Sequence, residues 1–237
     1  MGYLFGSMGD MARRPRLSGA GIAYHVMNRT WGQIQLFEDA SDYQAFERVL
    51  AEASERFSEM RICAYCLMPN HFHLVLWPKA EGVLSCFMQW LTQTHAARWH
   101  AHRRSRGRGH LYQGRFKSFP IQRDEHFLKV CRYVERNALR AQLVDKAEEW
   151  RWGSLWVRVH DEVTLKQMLS DWPVRIPDDW VRLVNRAQTE KELAAIRRSR
   201  ERGVPMGDPD WAQRTAKQLG LESTLRPVGR PRKEASA

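Results

Sequence analysis

Two apolar runs, Arg61 to Met68 and His71 to Trp77, are separated only by Pro69 and Asn70. Two turn residues between two such runs leave one local solution, a β-hairpin, so the chain is expected to build an antiparallel sheet. The flanking segments have to pack on that hairpin. Ile22 to Asn28 sets Ile22, Tyr24 and Val26 against Ala23, His25 and Met27, the period-2 pattern of a strand. Ser41 to Phe57 carries Tyr43, Phe46, Val49, Leu50 and Ala53 at helical spacing, with Asp39 or Ser41 as N-cap. Val83 to Ala101 contains neither Pro nor Gly and predicts a second helix through Leu84, Phe87, Met88, Leu91, His95 and Trp99. Lys117 to Gln122 is extended around Pro120, and Asp124 opens a third helix through Phe127, Val130, Cys131, Val134 and Ala138. This β-α-β-β-α-β order with one further helix predicts an α+β fold over residues 18–145. The expected architecture is a ferredoxin-like antiparallel sheet with helices on one face.

Beyond residue 145 the chain changes character, with Trp150, Trp152, Trp156, Trp172 and Trp180 close together and Pro173 and Pro177 among them. Residues 146–225 are expected to form a Trp-rich, helical C-terminal extension on the core. Within it Thr189 and Glu192 form a capping box, Gly203 stops that helix, and Asp208 and Gly220 bracket another. Residues 1–17 are expected to be a disordered lead and 226–237 a disordered basic tail.

Of the 237 residues 43% are hydrophobic, enough for a sizeable core, yet no apolar run approaches the roughly 18 residues of a membrane span. No membrane partner is expected. Four cysteines are too few for a disulfide framework, and no signal peptide is evident, so a cytoplasmic, nucleoid-associated protein is expected.

A formal charge of +11 favours a polyanionic partner. Between Ala96 and Arg123 there is no acidic residue, while Arg98, Arg103, Arg104, Arg106, Arg108, Arg115, Lys117 and Arg123 carry positive charge. Trp99, Tyr112, Phe116 and Phe119 are interleaved with them, a mixture suited to phosphate contact and base stacking, although a solvated basic loop has the same composition.

His-x-His occurs twice. On a strand, residues i and i+2 share a face, so His71 and His73 either chelate one cation or stand together on a solvated face, with Phe72 opposite. His100 and His102 lie on a helix, where i and i+2 diverge, and do not converge on a metal. On the third helix Tyr133 and Asn137 are one turn apart. Val130, Cys131 and Val134 face the core there, which leaves Tyr133 at an edge. The two residues are either an ordinary amphipathic pair or a nucleophile with an oxygen ligand completing a His, His, Asn set. Cys63 and Cys66 have zinc spacing but no second pair, and on a regular strand they point to opposite faces, so both are assigned to the core. Gly229 to Lys233 is either a disordered basic tail or an AT-hook-like core presenting Arg230 and Arg232 to a narrow minor groove.

Four ordered motifs carry a family resemblance: Met68-Pro69-Asn70-His71-Phe72-His73-Leu74-Val75, Tyr112-Gln113-Gly114-Arg115-Phe116-Lys117-Ser118, Arg132 through Ala141, and Trp150-Arg151-Trp152-Gly153-Ser154-Leu155. Together they resemble the single-tyrosine HUH transposases, and among these the REP-associated tyrosine transposases, over about residues 15–160. The resemblance implies that His71 and His73 are metal ligands for Mg²⁺ or Mn²⁺ and that Tyr133 is the nucleophile. It places Asn137 where related enzymes often carry Gln as third ligand. It further implies single-stranded DNA with hairpin structure as partner, a 5'-phosphotyrosine intermediate, and a monomer whose site is assembled in cis. Arg115, Lys117, Arg136 and Arg140 flank the motifs and are the expected phosphate contacts. The alternatives are a replication-initiator-type nickase, for which no P-loop or helicase segment is present, and a hairpin-DNA-binding regulator without catalysis.

Overall fold

The expected hairpin forms between β2 (Met60–Met68) and β3 (His71–Pro78). Its turn is held from outside, because the Pro69 carbonyl accepts the N–H groups of Leu36 and Phe37 at 2.7 and 3.0 Å. β1 (Ala23–Arg29) pairs with β3 on one side and with β4 (Lys117–Ile121) on the other, giving a four-stranded antiparallel sheet in the order β2-β3-β1-β4. The computed structural model describes residues 18–226 apart from Gln33, Arg106 and Arg108. The expected lead and the tail with Arg230 and Arg232 lie outside the described residues.

α1 (Ala40–Arg56) starts at Asp39, whose carboxylate accepts the N–H groups of Ser41 and Asp42 at 2.8 and 3.3 Å. With α2 (Val83–His102) it covers one face of the sheet: Phe46, Leu50, Phe87, Met88 and Leu91 pack with Tyr24, Val26, Phe72, Leu74 and Leu76. The other face is not open. Ala23, Cys66, Val75, Phe119 and Ile121 are also fully buried, under α3 (Glu125–Glu135) and the C-terminal extension. The α+β, ferredoxin-like sheet stands, and the expectation that the helices share one face is corrected. Strands that are apolar on both faces need cover on both, and α3 supplies the second layer.

A register shift between Ile62 and Ala64 marks a β-bulge in β2. The extra residue brings Cys63 to the same side as Cys66, so both join the α3-side core rather than facing apart.

After α4 (Asn137–Arg140) and a 3-10 turn at Ala147–Glu149 come α5 (Ser154–His160), α6 (Val163–Lys166), α7 (Trp180–Asn185), α8 (Glu190–Arg202), α9 (Pro209–Leu219) and α10 (Glu222–Leu225). This extension covers both sheet edges. Along β2 it gives Leu67 N–H the Trp152 carbonyl at 2.9 Å, and Ser170 donates to the Ile62 carbonyl at 2.8 Å. Along β4, Gln122 N–H bonds the Met206 carbonyl at 2.9 Å and Met206 N–H bonds the Pro120 carbonyl at 2.8 Å. Neither edge presents these groups to another chain. α8 is built as its sequence requires: Glu192 N–H bonds Thr189 Oγ1 at 3.3 Å, Thr189 N–H bonds Glu192 Oε2 at 2.8 Å, and Gly203 ends the helix at φ +75°. No helix of the described residues is long and apolar enough to cross a membrane.

Candidate active site

Strand alternation puts His71 and His73 on the α3 side of β3, with Phe72 in the opposite core. Their rings are 4.9 Å apart. The antiparallel register with β1 adds a third imidazole, since Met27 is opposite His73 and His25 is two residues along the same face. His25 Nε2 and His73 Nδ1 are 2.9 Å apart, and the His25 ring stacks on Phe119 at 4.8 Å.

These contacts restrict the tautomers. His71 Nδ1 lies 2.7 Å from Asn70 Oδ1, an oxygen that only accepts, so Nδ1 carries the proton and Nε2 keeps a lone pair. If His73 Nδ1 donates to His25 Nε2, the Nε2 of His73 is likewise free. Outer-shell hydrogen bonds orient metal-binding imidazoles in this way. Burial holds all three rings neutral, pushing His71 down to about 4, His25 down to about 3 and His73 well below its ordinary value. The positive charge of Arg200 adds to this at each ring, and that of Arg140 at His71 and His73.

Tyr133 comes from the last turn of α3, its ring edge-on to His73 at 5.9 Å and to His25 at 6.2 Å. The sequence places it at an edge; it is only 1% exposed. The covering groups are cations. Arg140 lies over the ring at 4.4 Å and donates to the hydroxyl at 3.2 Å, while Arg200 of α8 donates to the same oxygen at 3.3 Å. Asn137 is buried beside them, its amide N–H donating to the Tyr133 carbonyl at 3.2 Å and its Oδ1 accepting from Arg140 at 2.6 Å.

Among the described residues no group of three or more His, Cys, Asp or Glu side chains forms a metal cluster. The donor chemistry nevertheless fits a divalent cation. Two neutral imidazoles side by side present nitrogen lone pairs, and the Asn137 carbonyl oxygen has a second lone pair beyond its bond to Arg140.

The expected phosphate contacts separate. Arg115 and Lys117 are exposed, and Arg140 is at the tyrosine. Arg136 is not at the site. Its guanidinium donates to the Asn185 and Val184 carbonyls at 2.8 and 3.4 Å, closing the end of α7 and fastening the extension to α3. Part of the basic run is neutralised as well: Arg98 forms two bonds to Glu52, and Arg103 is bound by Asp42. Sequence reasoning assigned no role to His25 or Arg200. The alternation of β1 put His25 opposite Tyr24 and Val26, so its face was legible while its register against β3 was not. For Arg200 no local signal exists.

The second face of this four-stranded antiparallel sheet thus carries paired histidines and a tyrosine. The sequence profile of the IS200-like transposases matches residues 19–137, half of the chain, and the chain belongs to that family. Among solved structures it is similar to a REP-associated tyrosine transposase bound to a REP hairpin. The TM-score is 0.50 at 17% identity, covering 70% of this chain and 92% of that one, which is a likeness of fold. No curated protein sequence matches significantly.

Proposed function

We propose that this chain is a metal-dependent single-stranded DNA endonuclease and strand transferase that acts at hairpin sequences through a 5'-phosphotyrosine. The observation that carries the reading is the meeting of His71, His73 and Tyr133 on one sheet face of one chain, the His73 and Tyr133 rings 5.9 Å apart. Family membership and a neighbour bound to a hairpin support a DNA partner of this kind.

Tyr133 Oη attacks the scissile phosphorus; the new P–O bond forms as the bond to the 3'-oxygen breaks. The products are 5'-phosphotyrosyl DNA and a 3'-hydroxyl, and reversal with another 3'-hydroxyl transfers the strand. His71, His73 and the Asn137 oxygen would hold a divalent cation, Mg²⁺ or Mn²⁺, which would supply Lewis-acid polarisation at the phosphate. Both guanidinium neighbours of the phenol oxygen, Arg140 and Arg200, only donate, so neither takes its proton; overall the phenol loses one proton and the departing 3'-oxygen gains one. Arg115 and Lys117 extend the phosphate contacts along the exposed start of β4, and Arg230 and Arg232, which lie outside the described residues, are proposed as further DNA contacts. With both sheet edges covered by its own extension, the chain works as a monomer with its site in cis.

The test is a labelled hairpin oligonucleotide incubated with the protein and Mn²⁺, scored for a denaturant-resistant adduct. Wild-type protein forms the adduct and EDTA abolishes it. Tyr133→Phe retains hairpin binding and forms none. Intact binding without any wild-type adduct would instead favour the regulator.

A further inference from the structure

We propose that Arg200, delivered by the C-terminal extension, completes a phosphate subsite at Tyr133 together with Arg140, and is a catalytic residue of the transfer reaction. The inference rests on the reading of Tyr133 as nucleophile. It concerns a residue outside the stretch that matches the family profile, which ends at residue 137.

Two guanidinium groups converge on one neutral oxygen, Arg140 at 3.2 Å and Arg200 at 3.3 Å from Tyr133 Oη. Like charges directed at a common point repel, and folded proteins ordinarily relieve this with a carboxylate. Here the relief is slight. Among the described residues Arg140 makes no ion pair, and Arg200 has only its chain neighbour Glu201, at 3.4 Å with a largely exposed side chain. The nearby imidazoles are neutral and offer no negative charge. An anion is the missing partner, and a phosphate under attack by Tyr133 carries its charge at this position.

The arrangement suits a transition state better than a ground state. As the phosphorus becomes five-coordinate, charge gathers on the oxygens next to the phenol, where the two planar forks already point. Arg200 is held for this task by its helix, with Ile196 and Ser199 buried on the adjoining turn. Arg200 also lines a cavity of about 450 Å³ at the β4 edge, bounded by α2, α8 and α9, with Ser85, Phe116, Lys117, Ser118 and Arg202 in its wall.

Replacing Arg200 separates this role from two others. Arg200→Ala is expected to slow adduct formation at saturating hairpin by on the order of 100-fold, with hairpin Kd within a few-fold of wild type, since one phosphate contact among many is lost. Arg200→Lys keeps charge without the fork and falls between. Arg198→Ala, which removes an exposed charge from the same helix, is the control and leaves the rate unchanged. An Arg200→Ala rate equal to wild type overturns the proposal. So does a faster rate, which makes the α8 contact a cover over Tyr133 instead. A second measurement does not depend on cleavage: inorganic phosphate should raise the thermal midpoint of wild-type protein, and Arg200→Ala should lose most of that shift. If wild-type protein forms no adduct, the nuclease reading fails, while the phosphate titration still decides the subsite; no phosphate response in wild type overturns it.

Discussion

Phe72 and His73 are adjacent in sequence and both are buried, yet they belong to different chemistries. Phe72 packs on Phe46 at 4.9 Å in the core beneath α1 and α2. His73 faces His25, His71 and Tyr133 under α3. One strand thus serves two faces, an apolar one that sustains the fold and one where, beside the buried apolar Val75, a polar patch of neutral histidines and convergent arginines is costly to hold. The polar face is tolerable because the other is so fully packed: Phe72, Leu74 and Leu76 show no exposure. Stability and chemistry are divided by the two-residue period of β3, and variants on each face should report on only one of them.

The largest separation is expected at Phe46, which touches the apolar core and is remote from the site. Phe46→Ala should cost about 3–5 kcal/mol of stability by removing a fully buried ring. The adduct rate per folded molecule should stay within a few-fold of wild type. Chemical denaturation together with active-site titration measures both, and a parallel loss of both would break the division.

His25 tests the polar face from the second layer. His25→Ala removes the partner of His73 Nδ1, so the ring loses its orientation while the two expected ligands remain. A 10–100-fold rise in the Mn²⁺ concentration needed for half-maximal adduct formation is expected. Stability should change far less than for Phe46→Ala. His25→Gln, which can restore a hydrogen bond to His73, should recover part of the metal response. An unchanged Mn²⁺ requirement would remove His25 from the site.

The division also explains what was legible in the sequence. The hairpin, the shared face of His71 and His73, and the Thr189–Glu192 capping box follow from local spacing, and each formed as the spacing dictates. What escaped depends on long-range packing. The bulge beside Cys63 adds one residue without a composition signature, so the two cysteines turned out to share a side. The side on which α3 docks is set by apolar residues on both faces of the strands. Arg136 and Arg200 lie on similarly basic helical surfaces, but tertiary placement sends one to the carbonyls of α7 and the other to Tyr133.

The smallest expected effect concerns pH and belongs to the structural face. Glu47 of α1 is buried, accepting from Tyr65 Oη at 2.7 Å and from Arg151 at 3.2 Å. Burial raises its carboxyl above the ordinary glutamate value, outweighing the opposing pull of Tyr65 and Arg151. The folded state therefore keeps a proton that the unfolded chain releases at about pH 4.3. The associated stability is fully present below that pH and is lost as pH rises through the raised folded value. Glu47→Gln does not titrate and retains an oxygen for Tyr65, so its stability should be flatter over this window. Urea midpoints measured between pH 4 and 8 should show the difference, wild type minus variant, shrinking as pH rises. A constant difference would mean that Tyr65 and Arg151 hold Glu47 charged in the folded state throughout, making this buried pair an ionic feature of the α1 side.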